Sequence, residues 1–354
     1  MTMKVNPEMI VLARELRGVT QTALAEALSI NQATISRYEH GSIEVPPDHL
    51  KAVAHFLERP ISFFFWTERL YGASCVYHRK NRKISAAQMK MIDAKVNLLR
   101  MQASRLLQQA RVTAHYSFHR LDPEKHGGPA GCAKELRRLW QLPSGPVRNV
   151  VRTIEAAGGM VFRCPFGMAR VDGISQWPLD SPEMPPVFFV HEDAPGDRER
   201  WSLCHEIGHV VMHHLPAAGD PEEEANLFAS EFLMPADDIS HYLDNMTLQK
   251  AAALKSYWSV SMQAIIVRAC QSRRISKNQY SYLFRQISAR GYRKCEPVPI
   301  PPEDPAMFSE LLAFHRTSLG RSDEELADHI GELPDRFRAT YGRNLSGFRL
   351  VGSA

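Results

Sequence analysis

The sequence predicts a mainly helical chain with one small β-sheet, an α+β class, and three observations predict it. Apolar residues recur at helical spacing along most of the chain. Only the window 160–190 changes to the short apolar runs of strands, at 160–164, 169–176 and 186–190. Turn-rich stretches at 121–131 and 296–305 punctuate the chain. The expected segments are 1–66, 67–131, 132–295 and 296–354. At 354 residues, 44% hydrophobic and 23% charged, the chain has room for two or three globular domains. A formal net charge of +4 gives no global basic field. No run approaches the roughly 18 apolar residues of a membrane span, and the start lacks the apolar core of a signal peptide. The six cysteines are scattered without a CxxC pair. They suit a reducing cytoplasm and argue against a disulfide scaffold or a zinc knuckle.

Asn6 caps a first helix opened by Pro7, with Ile10, Leu12, Ala13 and Leu16 apolar and Gly18 at its end. Thr20 caps a second helix over 21–28. Asn31 caps a third over 32–40, closed by Gly41, and a fourth runs from Pro46-Pro47 to Leu57. Two helices joined by a short turn make a helix-turn-helix, whose second helix enters the major groove of DNA. From Met1 to Leu50, however, four bases face six acids, so this part alone binds DNA weakly. The basic run Arg79-Lys80-Asn81-Arg82-Lys83 is a source for the missing charge.

The aromatic run Phe63-Phe64-Phe65-Trp66 reads as packing between domains. An amphipathic helix over 85–112 follows, expected to link the first domain to the rest and to offer a dimer face. After the turn-rich linker come helices at 133–141 and 146–157, then the strands.

Chemistry concentrates in His205-Glu206-Ile207-Gly208-His209. Four residues apart on a helix, His205 and His209 project from one face and can grip one ion. Glu206, about 100° round the helix, reaches a water beside the ion rather than the ion itself. Asp197 is the expected N-cap of this helix. Two histidines leave a catalytic zinc short of a third protein ligand. A second helix, 222–234, brings acids at its start and ends at Pro235, but spacing alone does not choose among Glu222, Glu223, Glu224 and Glu231. His213 and His214 read as helix-end residues favoured by the dipole.

Helices are expected at 236–246, 248–257, 262–272 and 277–290, the last of these in a basic stretch with Arg273, Arg274, Arg290, Arg293 and Lys294. The proline-rich segment 296–305 reads as a semi-rigid spacer before a helical tail at 307–341.

Two resemblances sharpen this. His205-Glu-Ile-Gly-His209, with Glu224-Ala-Asn226-Leu-Phe228-Ala229 and Leu233-Met-Pro235, resembles the ImmA/IrrE metallopeptidases. That resemblance implies a zincin-like domain with Glu224 as third ligand beside His205 and His209 and Glu206 as the base; Asn226 and His213 are candidates to stand behind the ligands. It also implies that an edge strand, here Ile174, Ser175 and Gln176, holds an extended substrate. Cys204 stands where the family pattern has alanine, and a thiol there is a candidate for redox sensitivity. Thr20-Gln21 with Ile35-Ser36-Arg37-Tyr38-Glu39-His40-Gly41 resembles the lambda-repressor-like (XRE) family. It implies that Gln21 touches phosphate and that Gln32, Ala33, Thr34 and Arg37 meet base edges and backbone. The expectation is a cytoplasmic DNA-binding regulator fused to a zinc endopeptidase, with manganese as the alternative metal. Its partners are a DNA operator, a protein substrate such as a repressor or antitoxin, and a second copy in a homodimer. The competing expectation is a non-proteolytic regulator whose metal site is structural or sensing.

Overall fold

The computed structural model describes residues 4–72, 84–110, 113–166, 171–179, 184–214 and 219–342. The basic run 79–83 lies outside the described residues. Two compact units emerge: one holds the chain up to Gly72, the stretch 84–110 and the chain from Ala306, and the other runs from Thr113 to Pro305.

In the first unit, α1 (Pro7–Leu16), α2 (Gln21–Ala27), α3 (Gln32–Glu39) and α4 (Pro47–Phe56) are a bundle of short helices. Their caps are local chemistry: the side chains of Asn6, Thr20 and Asn31 accept from Glu8, Ala23 and Ala33 backbone N–H groups. Met9, Ile10, Leu24, Ile35 and Val53 fill the core. The helix expected as a linker, α5 (Ala86–Leu107), belongs to that core instead, through Ala94, Leu98 and Met101. Its apolar stripe is thus occupied within one chain, which removes the sequence reason for a dimer face there.

The expected tail is α14 (Met307–Thr317), α15 (Asp323–His329) and α16 (Pro334–Tyr341). These helices, numbered in chain order after those of the second unit, complete the first. Arg59 donates to Gly331 O at 2.9 Å, Gln102 to Ile330 O at 2.9 Å and Arg105 to His329 O at 2.7 Å. Gly331 lies at φ +67, and a Cβ there would meet the Phe63 and Trp66 rings at 2.7 Å. The aromatic run therefore packs against the C-terminal turn of its own unit, not between domains.

The second unit opens with α6 (Pro129–Leu139) and α7 (Val150–Ala156). The sheet comprises β1 (Met160–Cys164), β2 (Gly173–Gln176) and β3 (Val187–His191), in the order β1-β3-β2. β3 runs parallel to β1, with Met160 opposite Val187, and antiparallel to β2, with Gly173 opposite Val190. β2 is thus an edge of the sheet among the described residues. Against it lies α8 (Gly196–Met212), with α9 (Pro221–Leu233) packed on α8 and α6, followed by α10 (Ala236–Ile239), α11 (Leu248–Trp258), α12 (Met262–Gln271) and α13 (Lys277–Ala289).

α8 starts at Gly196 behind Pro195, so Asp197 is not its cap. Asp197 instead takes the buried Lys255 ammonium at 2.5 Å, and Glu296 takes the same ammonium at 2.9 Å. The proline-rich stretch has no regular structure, as expected, yet it is no free spacer. Gly196 N donates to Ile300 O at 3.1 Å, Glu303 N to Glu199 Oε1 at 3.2 Å, and Arg200 pairs with Glu303. A Cβ on Gly196 would lie 2.2 Å from Pro301 O, which is why glycine opens the helix. The segment is a strap across the start of the histidine helix.

Candidate metal centre

The centre is built from α8 and α9. His205 and His209 face each other with their Nε2 atoms 3.0 Å apart. Gly208, between them, lets α9 come close: a Cβ there would stand 3.2 Å from Ala225 Cα and 3.3 Å from Phe228 Cβ. α9 is started by Asp220, whose carboxylate accepts from Glu222 N, with Pro221 in its first turn. This start aims Glu222 at the histidines, with Oε2 3.6 Å from His205 Nε2 and Oε1 3.4 Å from His209 Nε2.

The hydrogen bonds behind the rings decide what the facing nitrogens offer. Asn226 Nδ2 donates to Glu222 O at 2.8 Å, which turns its Oδ1 to His205 Nδ1 at 3.2 Å. That ring nitrogen is the donor, so His205 Nε2 presents a lone pair. The second chain runs through His213. Its Nε2 meets Glu224 Oε2 at 2.9 Å, and its Nδ1 meets His209 Nδ1 at 2.8 Å. A carboxylate only accepts, so His213 donates from Nε2 and accepts at Nδ1. His209 Nδ1 then carries its proton, and His209 Nε2 also presents a lone pair.

Two lone pairs and a carboxylate thus converge within a few ångströms, an arrangement that repels itself unless a positive charge lies among them. Glu222 Oε1 is buried and makes no hydrogen bond. Burial disfavours the charged form of Glu222, but the two neighbouring imidazoles outweigh it and hold the carboxyl well below the usual range. Burial likewise opposes charge on His205, while Glu222 and Glu206 outweigh it and raise its pKa. Burial lowers that of His213, against the opposing pull of Glu224. His205, His209 and Glu222 form a donor set for one cation, with all ligand atoms within 4.8 Å of one another.

Glu224, expected as the third ligand, is placed differently. It stands two residues beyond Glu222, about 200° round the helix, and its carboxylate is engaged by His213. A signal for Glu222 was present in the sequence: Asn226, four residues on, shares its face. Asn226 and His213 do stand behind the two histidines, each touching an outer ring nitrogen.

Glu206 is held apart from this set by β2. Its Oε2 accepts from Ser175 Oγ at 2.6 Å, and a Cβ on Gly173 would lie 3.1 Å from its Cγ. Gly173 and Ser175 share a strand face, so one small residue and one hydroxyl fit the carboxylate. No local signal links Ser175 to Glu206, 31 positions later. Ile174 and Gln176 alternate with them, and all of β2 is buried. Cys204 is fully buried on the opposite side, among Leu203, Ile207 and the rest of the core, and burial pushes its thiol far up. A protonated, enclosed thiol is not redox-sensitive, which overturns that expectation.

In the first unit, a network orders the start of α2 against α3. Arg14 donates from Nε to Glu39 Oε1 at 2.6 Å, Gln21 to Glu39 Oε2 at 2.7 Å, and Gln32 to Gln21 Oε1 at 2.6 Å. Gln32, Ala33 and Arg37 are exposed, and Thr34 is half-buried beside them.

The fold and these two sites define a helix-turn-helix unit joined to a unit with a His/His/carboxylate cluster that could hold a metal ion. Residues 154–269 match a peptidase family described as the IrrE N-terminal-like domain, and residues 10–64 match the helix-turn-helix family. No curated protein matches the chain. The chain is therefore a fusion of an XRE-type helix-turn-helix with an IrrE-like, metallopeptidase-type domain. Among the described residues, no helix is long and apolar enough to cross a membrane.

Proposed function

We propose that the chain is a cytoplasmic DNA-binding regulator whose second unit is a metal-dependent endopeptidase acting on a specific protein partner, such as a repressor or antitoxin. The observation that carries this reading is the convergence of the His205 and His209 lone pairs on Glu222, with Glu206 held just outside by Ser175. A His₂Glu set suits zinc best, and manganese is the alternative where availability overrides affinity. A divalent ion bound there supplies a lowered water pKa and polarises a carbonyl.

The remaining work belongs to the chain. Glu206 takes the proton of the attacking water and hands it to the leaving amine, while the Ser175 hydroxyl fixes which carboxylate oxygen is free to do so. Asn226 and the His213–Glu224 pair keep both ligand rings in the tautomer that faces inward. The edge strand, with Ile174, Ser175 and Gln176, receives an extended peptide by strand addition. At the other end of the chain, Gln21, Gln32, Ala33, Thr34 and Arg37 present α3 to an operator. Paired half-sites fit a homodimer.

Incubation of the zinc-loaded protein with the products of its neighbouring genes is expected to yield a discrete cleavage. Glu206→Gln is expected to slow that cleavage by about 10²–10⁴ while the metal content stays whole. Cleavage that survives this change would remove Glu206 as the base.

One observation favours a second reading. Ile174, Ser175 and Gln176 are each less than 5% exposed, as befits a closed, structural or sensing site. Under that reading Glu206→Gln leaves regulation in cells intact, while Gln32→Ala with Arg37→Gln abolishes it.

A further inference from the structure

Between Asp244 and Glu296 the chain holds ten lysines and arginines and no acidic residue, within a protein of net charge +4. Two of these cations are buried in ion pairs, Lys255 with Asp197 and Glu296, and Arg268 with Glu231. Seven others are exposed: Arg273, Arg274, Lys277, Arg285, Arg290, Arg293 and Lys294. Arg274 approaches Asp244 at 3.5 Å, while Arg290 and Arg293 bond only to the neutral Gln286 and Ser288. Arg273, Lys277, Arg285 and Lys294 have no acidic partner among the described residues. Such a density of uncompensated charge repels itself, and an anionic partner relieves it.

We infer that the α12–α13 face of the second unit is a binding surface for the phosphate backbone of duplex DNA. The α12–α13 corner forms a hollow of about 550 Å³ lined by Arg273, Arg274, Ser276, Lys277 and Gln279. Ser276 caps α13 there by accepting from Gln279 N, so the helix start adds its partial positive charge to that of the three cations. Along α13, Leu283 and Ile287 face the core, while Lys277, Tyr282 and Arg285 face outward. Lys277 and Arg285 lie about 12 Å apart along the axis, a span in which duplex DNA presents about seven phosphate charges. An acidic protein is the weaker fit, because protein interfaces need an apolar centre, and Tyr282 is the only large exposed apolar side chain of α13 among the described residues. The surface supplies the positive charge that the helix-turn-helix, with four bases against six acids up to Leu50, lacks. It does not require the second unit to cleave anything. The preference for DNA leans on the DNA-binding reading of the first unit.

The test uses the full chain and a fluorescent duplex of arbitrary sequence, about 30 base pairs long, titrated between about 50 and 200 mM salt. Arg273→Gln, Arg274→Gln and Lys277→Gln together are expected to weaken binding at least about tenfold at the low-salt end. They are also expected to make the slope of log affinity against log salt shallower by about 2.7, at about 0.9 per phosphate contact. Arg285→Gln, farther along the outward face of α13, should act in the same direction, and unchanged zinc uptake shows that both variants are folded. Affinity and slope equal to the parent's would overturn the inference. So would loss of binding to a poly-glutamate peptide with DNA binding intact, which would make the face a protein-docking site. An Arg37→Gln variant separates the two readings. If it leaves binding to this duplex unchanged while the triple variant loses it, the phosphate contacts come from this face and not from the helix-turn-helix, and this inference stands.

Discussion

Glu222 and Glu224 illustrate how two residues of one type, two positions apart, take separate tasks. The first faces two imidazole lone pairs, and the second anchors the ring behind one of them. Glu222→Ala is therefore expected to abolish stoichiometric zinc binding, read by equilibrium dialysis with metal analysis. Glu224→Gln keeps an acceptor but frees the amide to present a donor, which unlocks the His213 and His209 tautomers. Its expected effect is a 10- to 100-fold weaker affinity with stoichiometry kept, on the order found for changes behind metal ligands. Equal affinity in Glu224→Gln and parent would show that the His213 chain does not orient His209.

At the scale of elements, the close approach of α8 and α9 depends on Gly208. Valine there must push aside Ala225 Cα and Phe228, so Gly208→Val is expected to cost about 1–3 kcal/mol and to weaken zinc binding. Thermal melts with and without metal check both effects. The strap and α11 meet α8 through the Asp197–Lys255–Glu296 cluster. Burial works against the Lys255 ammonium, but Asp197 and Glu296 outweigh it and raise its pKa. Lys255→Met leaves two carboxylates buried without their partner and is expected to cost about 3–5 kcal/mol. Because the lysine pKa is raised on folding, its stabilisation is complete below the ordinary value of about 10.4 and is lost as pH climbs through the higher folded value. The gap in stability between parent and variant should accordingly hold from neutral pH to about 10 and narrow only beyond it. A gap that closes near neutral pH would sink this account.

For the whole molecule, the C-terminal helices belong to the same unit as the helix-turn-helix. Phe337, Leu326 and Ile330 are completely buried, and His315, also fully buried, bonds to Leu106 O at 2.8 Å. Gly331→Val joins a strained backbone to a clash with Phe63 and Trp66. It is expected to lower the unfolding temperature of the first unit and its DNA affinity together, while zinc affinity in the second unit stays at the parent value. Loss of zinc binding in this variant would mean that the two units do not fold independently.

What the sequence determined by itself is whatever local rules carry. The caps at Asn6, Thr20 and Asn31, the strand 160–164, and the one-face placement of His205 and His209 follow from spacing and side-chain chemistry within a few residues. The segment boundaries and the choice of the carboxylate that faces the two histidines do not. Glu222 rather than Glu224 faces the rings because α9 is docked at one particular rotation over Gly208. Ser175 meets Glu206 because β2 is laid beside α8. The tail joins the first unit because Gly331 seats against aromatics some 270 residues away along the chain, as its bond from Arg59 records. Such contacts depend on rotation and docking, which no short-range pattern encodes, and only the folded chain fixes them.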